Sequence, residues 1–327
     1  MSILRSLRSL HIVYLAKSRM VNIEIIKSST SRLEKFKNVK SVASRINGYY
    51  RESSDLMVTP QAWEKIMSMK LRNDDLFLVT FQRSGTTLTQ KIILELEGVK
   101  VESLADIFNV FPFLEMGEEK EELGVDLAKN ITSPRRMKTH LNFGLMPTEF
   151  LTSKPKTILV VRNPIDCFIS NYHFYLNLEF FWPFFDTPER SLNDFFEKFI
   201  DNGESENGCW FKWHKEWIEY ALSDKGKEHC LLLFYEDLVS EKELCVKKIM
   251  KFLNMKADAN FENAVELSEF KHMQQTVEGP KNFFRSGKSG EGKNYLSSEQ
   301  LRKMKSLLDE NLGNHKTLFT NFFLNEI

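Results

Sequence analysis

Three stretches of the chain hold residues suited to binding anions and moving a proton. In Phe81-Gln82-Arg83-Ser84-Gly85-Thr86-Thr87-Leu88, hydroxyl residues, a glycine and a fixed positive charge stand directly before an apolar helical pattern. Backbone N–H groups at a helix start have no internal partner, and together with the helix dipole they receive anions. Gly85 lets a ligand approach the backbone, Ser84, Thr86 and Thr87 add hydroxyl donors, and Arg83 adds charge. The segment lacks the G-x-x-x-x-G-K-[ST] pattern of a Walker A loop, and on its own it reads equally well as a Ser/Thr helix cap. In the second stretch, Arg162 ends an apolar run and Asn163-Pro164-Ile165-Asp166 opens a helix that carries Ser170 one to two turns on. A guanidinium and a hydroxyl so placed suit one phosphate, although a strand-end arginine paired with an acid has the same pattern. The third stretch, Arg136-Met137-Lys138-Thr139-His140-Leu141, holds a histidine able to take up a proton near neutral pH, yet a lone histidine is more often structural.

Each stretch needs an element to position it. Leu76–Phe81 (LFLVTF), bounded by Asn73-Asp74-Asp75, predicts a buried strand, and the helix after the loop presents Leu88, Ile92, Ile93 and Leu96 on one face before Gly98 ends it. Met137–His140 predicts a short strand after Pro134. Thr157–Arg162 (TILVVR) and Cys230–Tyr235 (CLLLFY) predict two further buried strands. Helical patterns cover Ile165–Leu176, Ser191–Asp201, Phe211–Ser223 and Glu241–Leu253, and Pro60 opens a short helix. Strands alternating with helices argue for an α/β single domain with a central, mostly parallel sheet flanked by helices. Residues 1–45 read as an N-terminal extension, partly irregular, and 46–327 as the domain. Ser286–Lys293 (SGKSGEGK) reads as a mobile loop.

Composition narrows the function classes. The chain has 327 residues, with 42% hydrophobic and 28% charged, enough to bury a sizeable core. Lys+Arg and Asp+Glu both number 45, which argues against a nucleic-acid partner. Cys167, Cys209, Cys230 and Cys245 form no C-x-x-C pair, and the histidines no H-E-x-x-H, so free thiols in a reducing compartment and no metal are expected. No apolar run reaches the ~18 residues of a membrane span, so no membrane partner is expected. Arg5, Arg8, Lys17 and Arg19 precede the first acid, Glu24, giving residues 1–20 a faint transit-peptide character; a start at Met20 is the other reading. The expected location is the cytoplasm.

Together these stretches resemble the cytosolic sulfotransferase family, over residues 46–316, nearest to its amine and aryl members. The first loop is similar to the family's Tyr-Pro-Lys-Ser-Gly-Thr-Thr-Trp, with Gln82, Arg83 and Leu88 departing. Arg162-Asn163-Pro164-Ile165-Asp166, then Ser170 and Tyr172-His173-Phe174, resembles the 3′-phosphate segment. Lys138-Thr139-His140-Leu141 resembles the segment supplying the base. Tyr235-Glu236-Asp237 and Ser268-Glu269-Phe270 through Met273 match further nucleotide segments. Phe283-Phe284-Arg285-Ser286-Gly287 resembles a closing segment ending Arg-Lys-Gly, with Ser286 in place of its lysine and Lys288 as a candidate substitute. Gly290-Glu291-Gly292-Lys293 keeps the frame of Gly-Asp-Trp-Lys without its tryptophan.

The resemblance implies a P-loop-nucleotide-kinase-like sulfotransferase fold that uses 3′-phosphoadenylyl sulfate (PAPS) as co-substrate and no metal. The sulfuryl group would pass to a hydroxyl or amine of a small apolar acceptor, a phenol, steroid or aryl amine. His140 would be the base, Lys138 would stabilise the sulfuryl oxygens, and Arg83 would take the leaving-group role. The nucleotide would be held by Arg83, Ser84, Gly85, Thr86, Thr87, Leu88, Arg162, Ser170, Tyr235, Ser268, Phe270, Phe283, Arg285, Ser286 and Gly287. Phe81 and Phe143 would wall the acceptor pocket, and Glu179–Phe185 (EFFWPFF) would form a lid. His173, His214 and His229 read as packing or surface residues. Of the family's dimer motif only Lys293 is kept, with Ser297, Ser298 and Arg302 in the other places, so a homodimer has little support. Leu88, Ser286 and Gly292 motivate an alternative, a ligand-binding protein of the same fold with little turnover. A nucleotide kinase is disfavoured by the missing Walker lysine.

Overall fold

The computed structural model describes residues 10–16, 19–30, 40–46, 49–54, 60–116, 124–178, 185, 189–256 and 260–319. Residues 10–54 carry β1 (Leu10–Ala16), β2 (Arg19–Thr30), β3 (Lys40–Ile46) and β4 (Tyr49–Ser54), an antiparallel meander in the order β1-β2-β3-β4. The pairing runs from Leu10 opposite Ile25 to Ile46 opposite Tyr49, with one register shift between Ile25 and Lys27. No strand was read from this stretch, because its β-branched residues alternate with charge too irregularly to show a period of two.

The second sheet holds β5 (Leu76–Thr80), β6 (Arg136–Thr139), β7 (Lys156–Val161) and β8 (Cys230–Phe234), all parallel, in the order β6-β5-β7-β8. Around it in chain order lie α1 (Pro60–Met67), α2 (Thr86–Leu96), α3 (Leu104–Val110), α4 (Gly124–Asn130), α5 (Phe150–Ser153), α6 (Pro164–Asn177) and α7 (Leu192–Phe196). They continue with α8 (Trp210–Leu222), α9 (Tyr235–Ser240), α10 (Lys242–Leu253), α11 (Phe261–Glu266), α12 (Phe270–Thr276) and α13 (Ser298–Leu312).

The period of two along each strand divides the core into two layers. Phe77, Val79 and Phe81 join Leu159 and Val161 on one face, with α6, α8 and α13 over them. Leu76 and Leu78 join Ile158 and Val160 on the other, under α2, α10 and α11. Both faces being covered explains why β5 and β7 read as continuous apolar runs. At the amino ends of β5 and β6, Arg135 donates from Nε and Nη2 to the Asp75 carboxylate at 2.7 and 2.6 Å. Both side chains are buried, so the pair fixes the start of two neighbouring strands.

Candidate active site

In an open parallel sheet, ligands sit beyond the carboxyl ends of the strands, where the strand order reverses. Here the chain starts the sheet at β5, moves to one side for β6 and returns to the other for β7, so that point lies beside β5. Every strand of this sheet ends in a residue of interest: the 81–85 loop after β5, His140 after β6, Arg162 at the end of β7 and Tyr235 after β8. A cavity of about 590 Å³ opens there, and Arg83, Lys138, His140, Arg162 and Tyr235 all line it.

The cationic end is built on the turn before α2. Gly85 caps that helix with φ +100°, a left-handed conformation that suits glycine. A Cβ at Gly85 would lie 2.8 Å from the Tyr235 ring, so the aromatic side chain packs directly on the loop. The Arg162 guanidinium lies 4.1 Å from the centre of the same ring. Its Nη1 donates to the Arg83 carbonyl at 2.9 Å, and its buried Nε has no hydrogen-bond partner. Arg83 itself turns its Nε to the Ser170 hydroxyl at 3.3 Å and its Nη2 to the Phe283 carbonyl at 2.8 Å. Its guanidinium lies between the rings of Phe174 and Phe283, 4.7 and 5.0 Å from their centres. Burial, with Arg162 and Arg285 nearby, lowers the Arg83 pKa to about 10. A cluster of guanidiniums with a buried, unused N–H is a ready receptor for phosphate.

Around α6 a chain of hydrogen bonds holds this end in place. Asn163 accepts from the Asp166 amide at 2.8 Å as the cap of α6, and donates from Nδ2 to Glu236 at 2.7 Å. Burial raises the pKa of Glu236. The Asp166 carboxylate accepts from Ser289 Oγ at 3.1 Å, from the Gly290 amide at 2.6 Å and from the Gly292 amide at 2.7 Å. Against the desolvation that raises it, the bonds from Asn163, Gly290 and Gly292 and the charge of Arg162 hold the Asp166 pKa below its ordinary value. A Cβ at Gly292 would meet Asp166 Oδ1 at 2.7 Å. The tryptophan that the family frame suggests is therefore incompatible with this contact, and the loop read as mobile is held by three hydrogen bonds to a single carboxylate of α6, that of Asp166.

The proton-handling end is formed by β6. His140 Nδ1 lies 2.7 Å from the Thr80 carbonyl oxygen and 3.1 Å from Thr80 Oγ1. A carbonyl only accepts, so Nδ1 carries the proton, and in the neutral ring Nε2 holds the lone pair. The His140 amide donates to Glu115 Oε1 at 2.7 Å. Lys138 has its ammonium 4.1 Å from the Phe113 ring centre and 4.8 Å from that of Phe108. Burial drives the Lys138 pKa down to about 8, against the opposing pull of Glu115 and Glu206.

Most residues singled out in the sequence meet at this cavity: Gly85, Thr86, Thr87, Leu88, Ser170, Ser268, Phe270, Phe283, Arg285, Ser286 and Gly287 line it with those named above. Ser84 does not; it is fully buried, and its hydroxyl lies 3.6 Å from Cys167 Sγ. Lys288 is not among the lining residues; its exposed ammonium pairs with Glu291 at 3.3 Å. The two acceptor walls need correction. Phe81 follows the alternation of β5 into the core, where its ring packs edge-on to Trp213 at 5.7 Å. Phe143 packs on Trp217 and Tyr220 at 5.2 and 4.8 Å. The apolar walls come instead from Leu104, Phe108, Phe113, Met116, Phe174 and Leu178. Of these, Phe174 stood in a recognised segment; α3 and the turn after it carry no spacing signal. Residues 179–184 of the expected lid lie outside the described residues, and Phe185 packs on Phe195 at 5.6 Å. His173 packs 5.4 Å from the Tyr295 ring, and buried His214 stacks on Trp210 at 3.7 Å.

Fold and site together define an α/β protein with a parallel sheet, whose cavity joins a cationic pocket to a buried histidine and lysine. The family described as Sulfotransferase domain matches residues 73–316, and the chain belongs to it. Sulfotransferase 1C2 of Homo sapiens is 32% identical over 259 residues, covering 74% of this chain and 84% of that protein. Sulfotransferase 1C2 of Rattus norvegicus is 30% identical over 274 residues, covering 78% and 88%. Among solved structures, mouse sulfotransferase SULT7A1 complexed with PAP superposes with a TM-score of 0.67 at 23% identity, covering 84% of this chain and 97% of that one. Retinol dehydratase in complex with retinol and PAP gives 0.68 at 22% identity, covering 88% and 97%. These structures share the fold. Among the described residues, no helix is long and apolar enough to cross a membrane.

Proposed function

We propose that this chain transfers the sulfuryl group of PAPS to a hydroxyl or amine of a small apolar acceptor, with His140 as the general base. The observation that carries this reading is the His140 ring, bonded through Nδ1–H to the end of β5 within the cavity that the phosphate-type loop opens. The residues fit the nucleotide. Arg162 Nε is a buried donor without a partner, and Gly85 takes the left-handed turn that starts α2 against the Tyr235 ring. Arg162, Ser170 and Arg285 would hold the 3′-phosphate, and the start of α2 the 5′-phosphosulfate.

His140 Nε2 accepts the acceptor's proton as its oxygen or nitrogen bonds to sulfur, while the sulfur–oxygen bond to the leaving phosphate breaks. Thr80 fixes the ring and stabilises the imidazolium that forms. Lys138 lies where charge on the sulfuryl oxygens is neutralised, and its exclusion from water strengthens that contact. The acceptor rests on Phe108, Phe113 and Met116. A cytoplasmic setting goes with this reading, and burial pushes the thiols of Cys167 and Cys230 up to about 11 and 12.

A second reading, a ligand-binding protein with little turnover, is favoured by Arg83, whose guanidinium bonds to Ser170 and the Phe283 carbonyl. Labelled PAPS with a panel of phenols, steroids and aryl amines, assayed without added metal, decides between them. Sulfated product is expected, with His140→Ala lowering turnover about a thousandfold while PAP still binds. PAP binding without turnover on any acceptor would favour the second reading, and full activity in His140→Ala would remove the histidine from its role.

A further inference from the structure

His140 is the first residue beyond the ladder of the parallel sheet: β6 ends at Thr139, which lies opposite Val79. From there on, side chains hold the main chain. The His140 amide donates to Glu115 Oε1 at 2.7 Å, and the Leu141 amide to Thr139 Oγ1 at 3.1 Å. On the acceptor side, the Trp213 indole donates from Nε1 to the His140 carbonyl at 3.1 Å and to the Leu141 carbonyl at 3.0 Å. Trp217, further along α8, donates from its Nε1 to the Leu141 carbonyl at 2.9 Å. Both indoles are fully buried, and neither lines the cavity.

A residue's backbone has two soft torsions, so fixing the peptide planes on either side of a Cα fixes the direction in which its side chain leaves. For His140 the preceding plane is held through its amide by Glu115. The following plane is held through the His140 carbonyl by Trp213 and through the Leu141 amide by Thr139. The Thr80 carbonyl at Nδ1 then sets the rotation of the ring. Trp213 also packs its ring edge-on to Phe81, the residue that follows β5, at 5.7 Å. One buried indole thus joins the mount of the base to the start of the phosphate-type loop. A shared indole N–H resists tilting of either carbonyl, because a tilted carbonyl loses that donor in a place closed to water.

We propose that Trp213 is a positioning residue for the base: it acts through the His140 main chain and holds Nε2 where the acceptor's proton arrives. The assignment rests on the sulfuryl-transfer reading for its reaction. Proton transfer needs the ring nitrogen within hydrogen-bond reach of the acceptor hydroxyl, and a displacement of about 1 Å costs about a hundredfold. Trp217 bonds at Leu141, one peptide further from the ring, so its N–H bears less on the base.

Two phenols separate positioning of the base from a general loss of structure. At about pH 8 para-nitrophenol is largely ionised and has little need of a base, whereas para-ethylphenol is neutral and depends on one. Turnover of each is measured with PAPS on the full chain. In Trp213→Phe, which keeps an apolar ring and removes the N–H, kcat on para-ethylphenol is expected to fall about tenfold or more, and kcat on para-nitrophenol by less than about twofold. Trp217→Phe is expected to keep the ratio of the two within about twofold of the unaltered protein. The ratio is taken within each variant and does not depend on its folded fraction. Should Trp213→Phe not fold, the benzothiophene analogue of tryptophan at the same position keeps the shape and replaces the N–H with sulfur. Nitrogen NMR of the His140 ring gives a readout apart from turnover: exchange of its Nδ1 proton with water is expected to quicken once the Trp213 N–H is lost. An unchanged ratio in Trp213→Phe, an equal change in Trp217→Phe, or unchanged exchange would overturn the assignment. Faster exchange in the variant, with neither phenol turned over by the unaltered protein, would support the hold of Trp213 on His140 while removing sulfuryl transfer.

Discussion

Lys138 carries a positive charge into an environment that opposes it. Its pKa of about 8 against an ordinary 10.5 is a desolvation effect, only partly offset by Glu115 and Glu206. The folded chain thus releases a proton near pH 8 that the unfolded chain holds to pH 10.5. Between those values the unfolded state binds more protons, so this lysine makes stability rise with pH; below pH 8 its full penalty is present. Replacing it with methionine is expected to raise stability at pH 7 by about 1–3 kcal/mol and to flatten that rise, as read by thermal unfolding at several pH values. On the proposed sulfuryl-transfer reading, in which its charge would stabilise the transition state, the same change is expected to lower kcat by about a hundredfold. An active, destabilised Lys138→Met would show that the lysine is structural. A short pattern such as Lys-Thr-His reveals the residue types but not this conflict, which depends on Phe108 and Phe113 arriving from elsewhere in the chain.

Among the elements, α6 does two things at once. Its amino end is capped by buried Asn163 next to Arg162, which lines the cavity, and the Asp166 carboxylate in its first turn fastens the 289–292 loop through two amides and a hydroxyl. Asp166→Ala is expected to free that loop. Proteolysis within 286–293 should become faster, and PAP affinity should fall about tenfold or more, since Arg285 and Gly287 lose their support. Unchanged proteolysis would mean the loop is held by its other contacts.

The elements were legible to different degrees. LFLVTF, TILVVR and CLLLFY are fully apolar runs because both sheet faces are covered, and they match β5, β7 and β8 within a residue. The cap of α6 was readable from Asn163-Pro164, and the structure starts that helix at Pro164. The 191–201 pattern was readable as helix but not its change to a wider turn at Glu197–Asp201. Phe81 was assigned to the wrong side because a run apolar at every position hides which of its residues face the ligand. The Glu206–Gln82 bond joins residues 124 positions apart, a distance no local spacing reveals.

At the scale of the molecule, the layer between the sheet and α8 holds an ionisable group with no role at the cavity. His214 is fully buried, stacked on Trp210, and its pKa is pushed down to about 3 by desolvation. The ring is therefore neutral in the folded state, while in the unfolded chain it protonates near pH 6.5. Stability present above pH 6.5 is lost progressively as the pH falls toward 3. His214→Phe is expected to weaken this acid sensitivity, so that the difference in unfolding midpoint between pH 7 and pH 5 shrinks; an identical difference would place the acid-sensitive group elsewhere.

The placement of one site residue at the end of every strand of the parallel sheet has a kinetic meaning. Gly85 and Tyr235 touch across 150 positions of chain, and His140 meets Thr80 across 60. Such long loops close slowly and are favourable only once the strands between them are paired. Ligand-binding ability and refolding of the sheet should thus return together, with no early species that captures nucleotide. A chain caught partway through folding would expose apolar strand edges without the polyanion to shield its guanidiniums.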